Sequence, residues 1–156
     1  MRRFKLSLVV VLLVTAFAQA QGPIQLSLFP GAQIVPENEN VTAFRLALYG
    51  KNTSTEVFDL ALVAQNTDGH SRGVQWAFVG LQNDFTGWQY ALVNYNTGEH
   101  TGLMTGGVNY TQNFTGLQWG LVNYTDTANG LQLGLLNFIN KGGMLPIFPF
   151  FNFSFK

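Results

Sequence analysis

The sequence predicts an all-β fold: an antiparallel meander of about eight strands made from 14–15-residue repeats. Three observations carry this. Gly116 to Tyr124 reads G-L-Q-W-G-L-V-N-Y and recurs in variants that open at Gly73, Gly87, Gly102 and Gly130. Such self-similarity decides an architecture before any single residue does. Within each copy, large apolar and small or polar residues alternate with a period of two, which is the mark of a two-faced strand. Only 10% of residues are charged while 47% are hydrophobic, against roughly 25% charged in ordinary soluble domains. One face of the sheet must therefore meet something other than bulk water.

Taken in order, the first twenty residues read as an export signal. Arg2, Arg3 and Lys5 precede an apolar run from Leu6 to Phe17, and Ala18-Gln19-Ala20 forms a small-residue cleavage site. The run falls short of the ~20 apolar residues of a membrane-spanning helix. Residues 21–156 then form a single β-repeat domain. Without the three basic residues of the leader, 5 basic side chains remain (8 − 3) against 8 acidic ones, a net charge of −3. Nucleic acid, which requires a clustered basic face, is not an expected partner. The chain has no cysteine, so disulfides and thiolate metal sites are excluded.

Ile24 to Phe29 alternates and reads as a strand that Pro30-Gly31 ends, and a polar connection runs on through Asn40. The repeats occupy about residues 43–139. Phe44-Arg45-Leu46-Ala47-Leu48 and Phe58-Asp59-Leu60-Ala61-Leu62 match the pattern without the opening glycine. Numbering from the glycine, positions 2, 4 and 6 are large and apolar. Position 3 is usually Gln (Gln75, Gln89, Gln118, Gln132), and position 5 is always Ala or Gly. Position 8 is Asn in four copies (Asn94, Asn109, Asn123, Asn137), and position 7 is apolar, which implies a bulge or burial on both faces. Polar clusters such as Asn66-Thr67-Asp68-Gly69 and Asn96-Thr97-Gly98 read as turns between strands of 8–9 residues. Pro146 and Pro149 interrupt the end of the chain, and a last aromatic strand is expected over about 150–155.

Three sheets could use such a unit. An open sheet exposes one greasy face. A β-solenoid stacks each unit as a coil and turns the Asn and Gln positions into ladders, but the turn-like residues leave little room for the second strand that a coil requires. A small up-and-down barrel closes the edges, sets the large side chains toward lipid and the small ones inside. The barrel is the favoured expectation, with the β-solenoid as the alternative. Nine candidate strands sit awkwardly with the even counts of bacterial barrels.

The repeat G-L-Q-W-G-L-V-N-Y and its relatives resemble the surface-repeat proteins of Gram-negative bacteria of the Leptospira type, over roughly residues 43–139. That resemblance implies export and a location at the outer membrane or cell surface, with the periplasm or secretion as the alternative. It implies no enzymatic activity. Phe151, Phe153 and Phe155 also resemble the terminal aromatic strand of outer-membrane barrels, from which Lys156 departs.

Candidate chemistry is sparse, and the protein reads as a non-enzyme with no cofactor and no metal. His70 and His100 fall in expected turns, 30 residues apart, which is not ligand spacing. Glu37 and Glu39 lie in a solvated loop that does nothing to raise a carboxyl pKa. Two features stand out. Arg45 and Asp59 occupy position 3 of adjacent copies, where later copies have Gln, and could form an interior ion pair. Trp76, Trp88 and Trp119 could form an aromatic surface, either facing lipid or stacking against a glycan or host ligand beside Asn and Gln donors. Membrane lipid is the expected partner, with a glycan or host molecule as the alternative. Asn40, Asn52, Asn109, Asn113, Asn123 and Asn152 sit in Asn-x-Ser/Thr triplets that repetition explains.

Overall fold

A computed structural model of the chain describes residues 24–155. The proposed leader lies outside these residues. The strands are β1 (Ile24–Phe29), β2 (Ala32–Gln33), β3 (Phe44–Asn52), β4 (Glu56–Asn66), β5 (His70–Gln82), β6 (Asp84–Lys141) and β7 (Ile147–Ser154). They form one sheet in the order β2-β1-β3-β4-β5-β6-β7.

The fold is all-β, as the alternation requires, but it is a β-solenoid and not an up-and-down barrel. The pairings β1–β3, β3–β4, β4–β5 and β5–β6 are all parallel. The expected antiparallel meander is thereby overturned. The strands at the two ends of the chain, β1 and β7, lie at opposite ends of the sheet order, so the sheet does not close end to end. Each copy winds once around the axis and lies on the copy before it, like residue over like: Gln75 pairs with Gln89, Ala77 with Ala91 and Val79 with Val93. β6, 58 residues long, continues this winding through the later copies.

The coil finds room because the residues that look like turns are part of the wall. Positions 3, 5, 8 and 10 point inward, together with one residue two before the next glycine. In one coil these are Gln118, Gly120, Asn123, Thr125 and Ala128; Gly120 is half-buried and the rest are buried. Positions 6 and 7 both face outward, which accounts for the apolar seventh residue. The chain turns a corner there. Asn66, Asn96 and Thr125, drawn from the expected turns, are buried.

The core is consequently polar: among the described residues, buried polar side chains outnumber buried hydrophobic ones more than twofold. Buried amides are costly unless they are hydrogen-bonded. Here they form ladders along the axis. Asn94 donates to Asn109, Asn109 to Asn123 and Asn123 to Asn137, each at 2.8 Å. Gln89 donates to Gln75 at 2.9 Å and Gln132 to Gln118 at 2.6 Å. Each such bond contributes about 1 kcal/mol net, and an orphaned partner costs more than the bond gains. The ladder therefore enforces register as much as it adds stability. Small residues at position 5 are required because the interior is narrow. A Cβ on Gly134 would overlap the Gly120 carbonyl oxygen.

The opening glycines mark a second corner. Gly73, Gly87, Gly102, Gly116 and Gly130 all have φ between 112° and 159°. Along most of this row, each glycine lies over the backbone carbonyl of the glycine one coil earlier, which occupies the place of a side chain. Below Gly73 the row continues at Val57, a β-branched residue with φ 75°.

Both ends of the stack are covered, as quasi-one-dimensional folds require. At the N-terminal end the loop after β1 folds back. Val35 donates its backbone N–H to Gln25 Oε1 at 2.8 Å, and Gln25 Nε2 donates to the Val35 carbonyl at 3.0 Å. At the other end β7 pairs antiparallel with residues 130–138 of β6. It includes Pro149, which suits an outer edge where no further strand is to be added.

Candidate functional site

The outward positions 2, 4 and 6 of successive coils line up into one apolar sheet face. Along position 4 run Leu46, Leu60, Trp76, Tyr90, Thr105, Trp119 and Leu133, and along position 6 run Leu48, Leu62, Phe78, Leu92, Gly107, Leu121 and Leu135. The rows contain no charged residue. Most of these side chains are exposed, Trp119 at 63% and Tyr90 at 52%. Phe150, Phe151 and Phe153 on β7 and Phe155 just beyond it are exposed as well. Soluble monomers rarely display a continuous apolar surface of this extent.

The three tryptophans all stand on this face. Trp76 and Trp88 meet edge to face, with ring centroids 5.8 Å apart and an interplanar angle of 81°. Trp119 stands apart from them. Between the two groups the face is notched. Thr105 and Gly107 occupy the positions that carry Tyr90 and Leu92 one coil earlier and Trp119 and Leu121 one coil later. The resulting groove has a volume of about 680 Å³ and is lined by Trp88, Tyr90, Leu92, Thr105, Gly106, Gly107, Trp119 and Leu121 among others. Trp88 Nε1 donates to Thr105 Oγ1 at 2.9 Å, so these two polar groups of the groove already satisfy each other.

The amide donors expected beside the aromatics are elsewhere. Gln75, Gln89, Gln118, Gln132 and the position-8 asparagines are fully buried in the core. A sugar ring stacked on the tryptophans would find none of them within reach. Asn52, Asn109, Asn123 and Asn152 of the Asn-x-Ser/Thr triplets are also buried, which leaves Asn40 and Asn113 exposed.

Arg45 and Asp59 meet inside the solenoid. Arg45 Nη2 and Nε donate to Asp59 Oδ2 and Oδ1 at 2.6 and 2.8 Å, a bidentate pair with both side chains buried. Asp59 Oδ2 also accepts from Gln75 Nε2 at 2.7 Å, so the pair continues the glutamine ladder in charged form. Arg45 Nη1 donates to Asn66 Oδ1 at 3.0 Å and Asn52 Oδ1 at 3.3 Å. Gly50 makes room for this guanidinium, since a Cβ there would meet Arg45 Cδ at 2.9 Å. A carboxylate so enclosed and so tightly held is a structural group and offers no path to a substrate.

His100, expected in an exposed turn, is fully buried. Its ring stacks between Phe85 and Phe114 at centroid distances of 5.5 and 5.8 Å. Burial lowers its pKa from the ordinary 6.5 to about 4, against a smaller opposing effect from a hydrogen bond with the Leu103 backbone. The missed signal was positional: Phe85, His100 and Phe114 precede their glycines by two residues and form a stacked row. His70 is exposed and within hydrogen-bonding distance of Thr86. Among the described residues no group of three or more His, Cys, Asp or Glu is placed to hold a metal ion.

Comparison of the chain with protein-family models, with characterised proteins and with solved structures finds no match. The likeness to Leptospira-type surface repeats therefore stands on the repeat motif itself.

Proposed function

We propose that this is a non-enzymatic, exported β-solenoid of the cell envelope, displayed at the outer membrane or cell surface, which works by apolar association through one sheet face. The observation that carries the reading is that face, on which Leu46, Leu60, Trp76, Tyr90 and Trp119 stand exposed along one row of the sheet. Exposed apolar surface contributes about 25 cal/mol per Å² when covered, so a face this large favours a partner strongly. Lipid or another apolar surface fits it, and charged ligands do not. The export-like leader, the scarcity of charge and the Leptospira-type repeat support the envelope location.

Fractionation of cells that express the full chain tests this. Recovery with envelope membranes or on the intact cell surface, with loss of the first twenty residues, is the expected result. Retention of the leader with all of the protein in the cytosol would overturn the reading.

A further inference from the structure

We infer that the apolar face binds a second copy of this chain, in a two-fold dimer keyed by Trp119 and the Thr105/Gly107 notch. This names the partner of the face on which the proposed function rests. A knob and a hole stand in adjacent coils of this face. Trp119, the most exposed tryptophan, stands at position 4 of one coil. The hole lies at positions 4 and 6 of the coil immediately before it, where Thr105 and Gly107 replace large side chains. A knob and a hole in neighbouring rows of a flat sheet form a self-complementary surface.

An isologous interface needs a surface that matches itself after a half-turn. Consider a two-fold axis that runs parallel to the strands, midway between the coils of Thr105 and Trp119. It reverses the order of the coils and keeps each position along the strand. Trp119 of one copy then faces Thr105 and Gly107 of the other, and the same contact recurs in the reverse sense. The flanking rows also match. Tyr90 faces Leu133, and Trp76 faces Phe151, which β7 sets beside Leu133. Every row meets an apolar row.

Charge and area agree with this partner. Positions 2, 4 and 6 of these coils carry no charged side chain, so superposing the face on itself brings no like charges together. Strands spaced about 4.8 Å apart make the six matched rows about 29 Å long. Five residues of strand with their side chains span about 20 Å. The overlap is then about 600 Å² per copy, or about 1,200 Å² in total, at the lower limit of stable protein–protein interfaces. A dissociation constant in the micromolar range is expected. The groove gives a sugar few polar partners, because Trp88 and Thr105 bond each other.

The test is a swap of knob and hole, read as mass by light scattering or sedimentation across concentrations. The protein is the exported full chain, purified and freed of detergent. The unaltered chain should be a dimer that dissociates on dilution. Trp119→Thr places hole against hole, and Thr105→Trp places knob against knob; each should weaken dimerisation at least tenfold. The double variant Thr105→Trp/Trp119→Thr moves the knob by one coil and restores the match at position 4, with Leu121 where Gly107 flanks the native hole, so dimerisation should recover in part and exceed that of either single variant. Circular dichroism identifies any variant that fails to fold, and Thr105→Leu then stands in for Thr105→Trp. A monomer at every concentration overturns the proposal, as does a dimer indifferent to both single changes or a double variant no better than the singles. Binding of the monomer to phospholipid vesicles through Trp119 would assign the face to lipid, and binding to an oligosaccharide would assign it to a glycan. Either result refutes the dimer while leaving the envelope location intact, whereas a cytosolic location refutes that reading alone.

Discussion

The Arg45–Asp59 pair allows a sharp test of how this core is held. Arg45→Gln removes one partner of a buried bidentate pair and leaves the Asp59 carboxylate with Gln75 as its remaining side-chain donor. Breaking a buried pair from one side typically costs about 3–5 kcal/mol, because the other charge stays buried without compensation. For a chain of this size that is a fall of roughly 6–20 °C in melting temperature. Asp59→Gln should cost a similar amount, since the guanidinium keeps its Nη1 bonds to Asn66 and Asn52 but is buried without a counter-charge. The double variant Arg45→Gln/Asp59→Gln is different. It extends the Gln75–Gln89 step, which Met104 separates from the Gln118–Gln132 step, toward the N-terminus. The former acceptors keep other donors: Asn52 Oδ1 has Gln25 Nε2 at 3.2 Å, and Asn66 Oδ1 has Thr55 Oγ1 at 3.1 Å. The only new defect is space beside Gly50, where the longer arginine now lies. The double variant should therefore stay within about 1 kcal/mol of the parent, giving a coupling energy of several kcal/mol between the two sites. Urea denaturation of the four proteins measures it. If the double variant loses as much as the two single variants added together, the pair is not interchangeable with a Gln–Gln step and the ladder account of the core is wrong.

Two further predictions follow from the corner row and from the aromatic stack. Val57 holds φ at 75° where later coils have glycine, a strain of order 1–3 kcal/mol for a side chain in this region. Val57→Gly should stabilise the fold by about 1 kcal/mol after the entropic cost of glycine is subtracted. Gly87→Ala should destabilise it by more, because its φ is 134° and its Cβ would overlap the Gly73 carbonyl oxygen; melting curves that rank these two in the opposite order would refute the corner argument. Buried His100 has a pKa of about 4 against 6.5 when unfolded. At neutral pH both states are uncharged and nothing is lost. As pH falls below 6.5 the unfolded chain takes up the proton first, so stability drops by about 1.4 kcal/mol per pH unit until the folded pKa is reached, about 3 kcal/mol in all. His100→Phe continues the Phe85–Phe114 stack and should abolish this part of the acid dependence, which denaturation at pH 7 and pH 4 reads directly.

Much of the fold was legible in the repeat. Alternation placed Leu117, Trp119 and Leu121 on one face and Gln118 and Gly120 on the other, and that division holds in the solenoid. The direction of pairing was not legible. A polar cluster such as Asn96-Thr97-Gly98 is written in turn residues, and a turn between strands implies an antiparallel neighbour. Asn96 instead points inward, where it donates to Gln89 Oε1 at 3.0 Å. A polar residue can serve a turn or a buried ladder equally well, and local pattern does not distinguish the two. The partner that decides the matter lies elsewhere in the stack. For the same reason His100 looked exposed: a histidine between Glu99 and Thr101 has polar neighbours in sequence but phenylalanines above and below it in space.

The site shows the same limit from the other side. The tryptophans were visible as a set, yet the feature that distinguishes one part of the face is a pair of small residues. Thr105 and Gly107 have no chemistry to attract notice. They matter because every other coil from β3 onward carries a larger residue than each of them in its row. In a solenoid whose repeats lie in register, a substitution in one repeat becomes a shape on the surface: a large residue a ridge, a small one a slot. Ladders of identical side chains inside fix the coils in register, and that fixed register makes such shapes reproducible enough to recognise a partner. The polar core and the notched apolar face are therefore two consequences of one repeat. The first holds the coils in place, and the second makes one coil differ from the next.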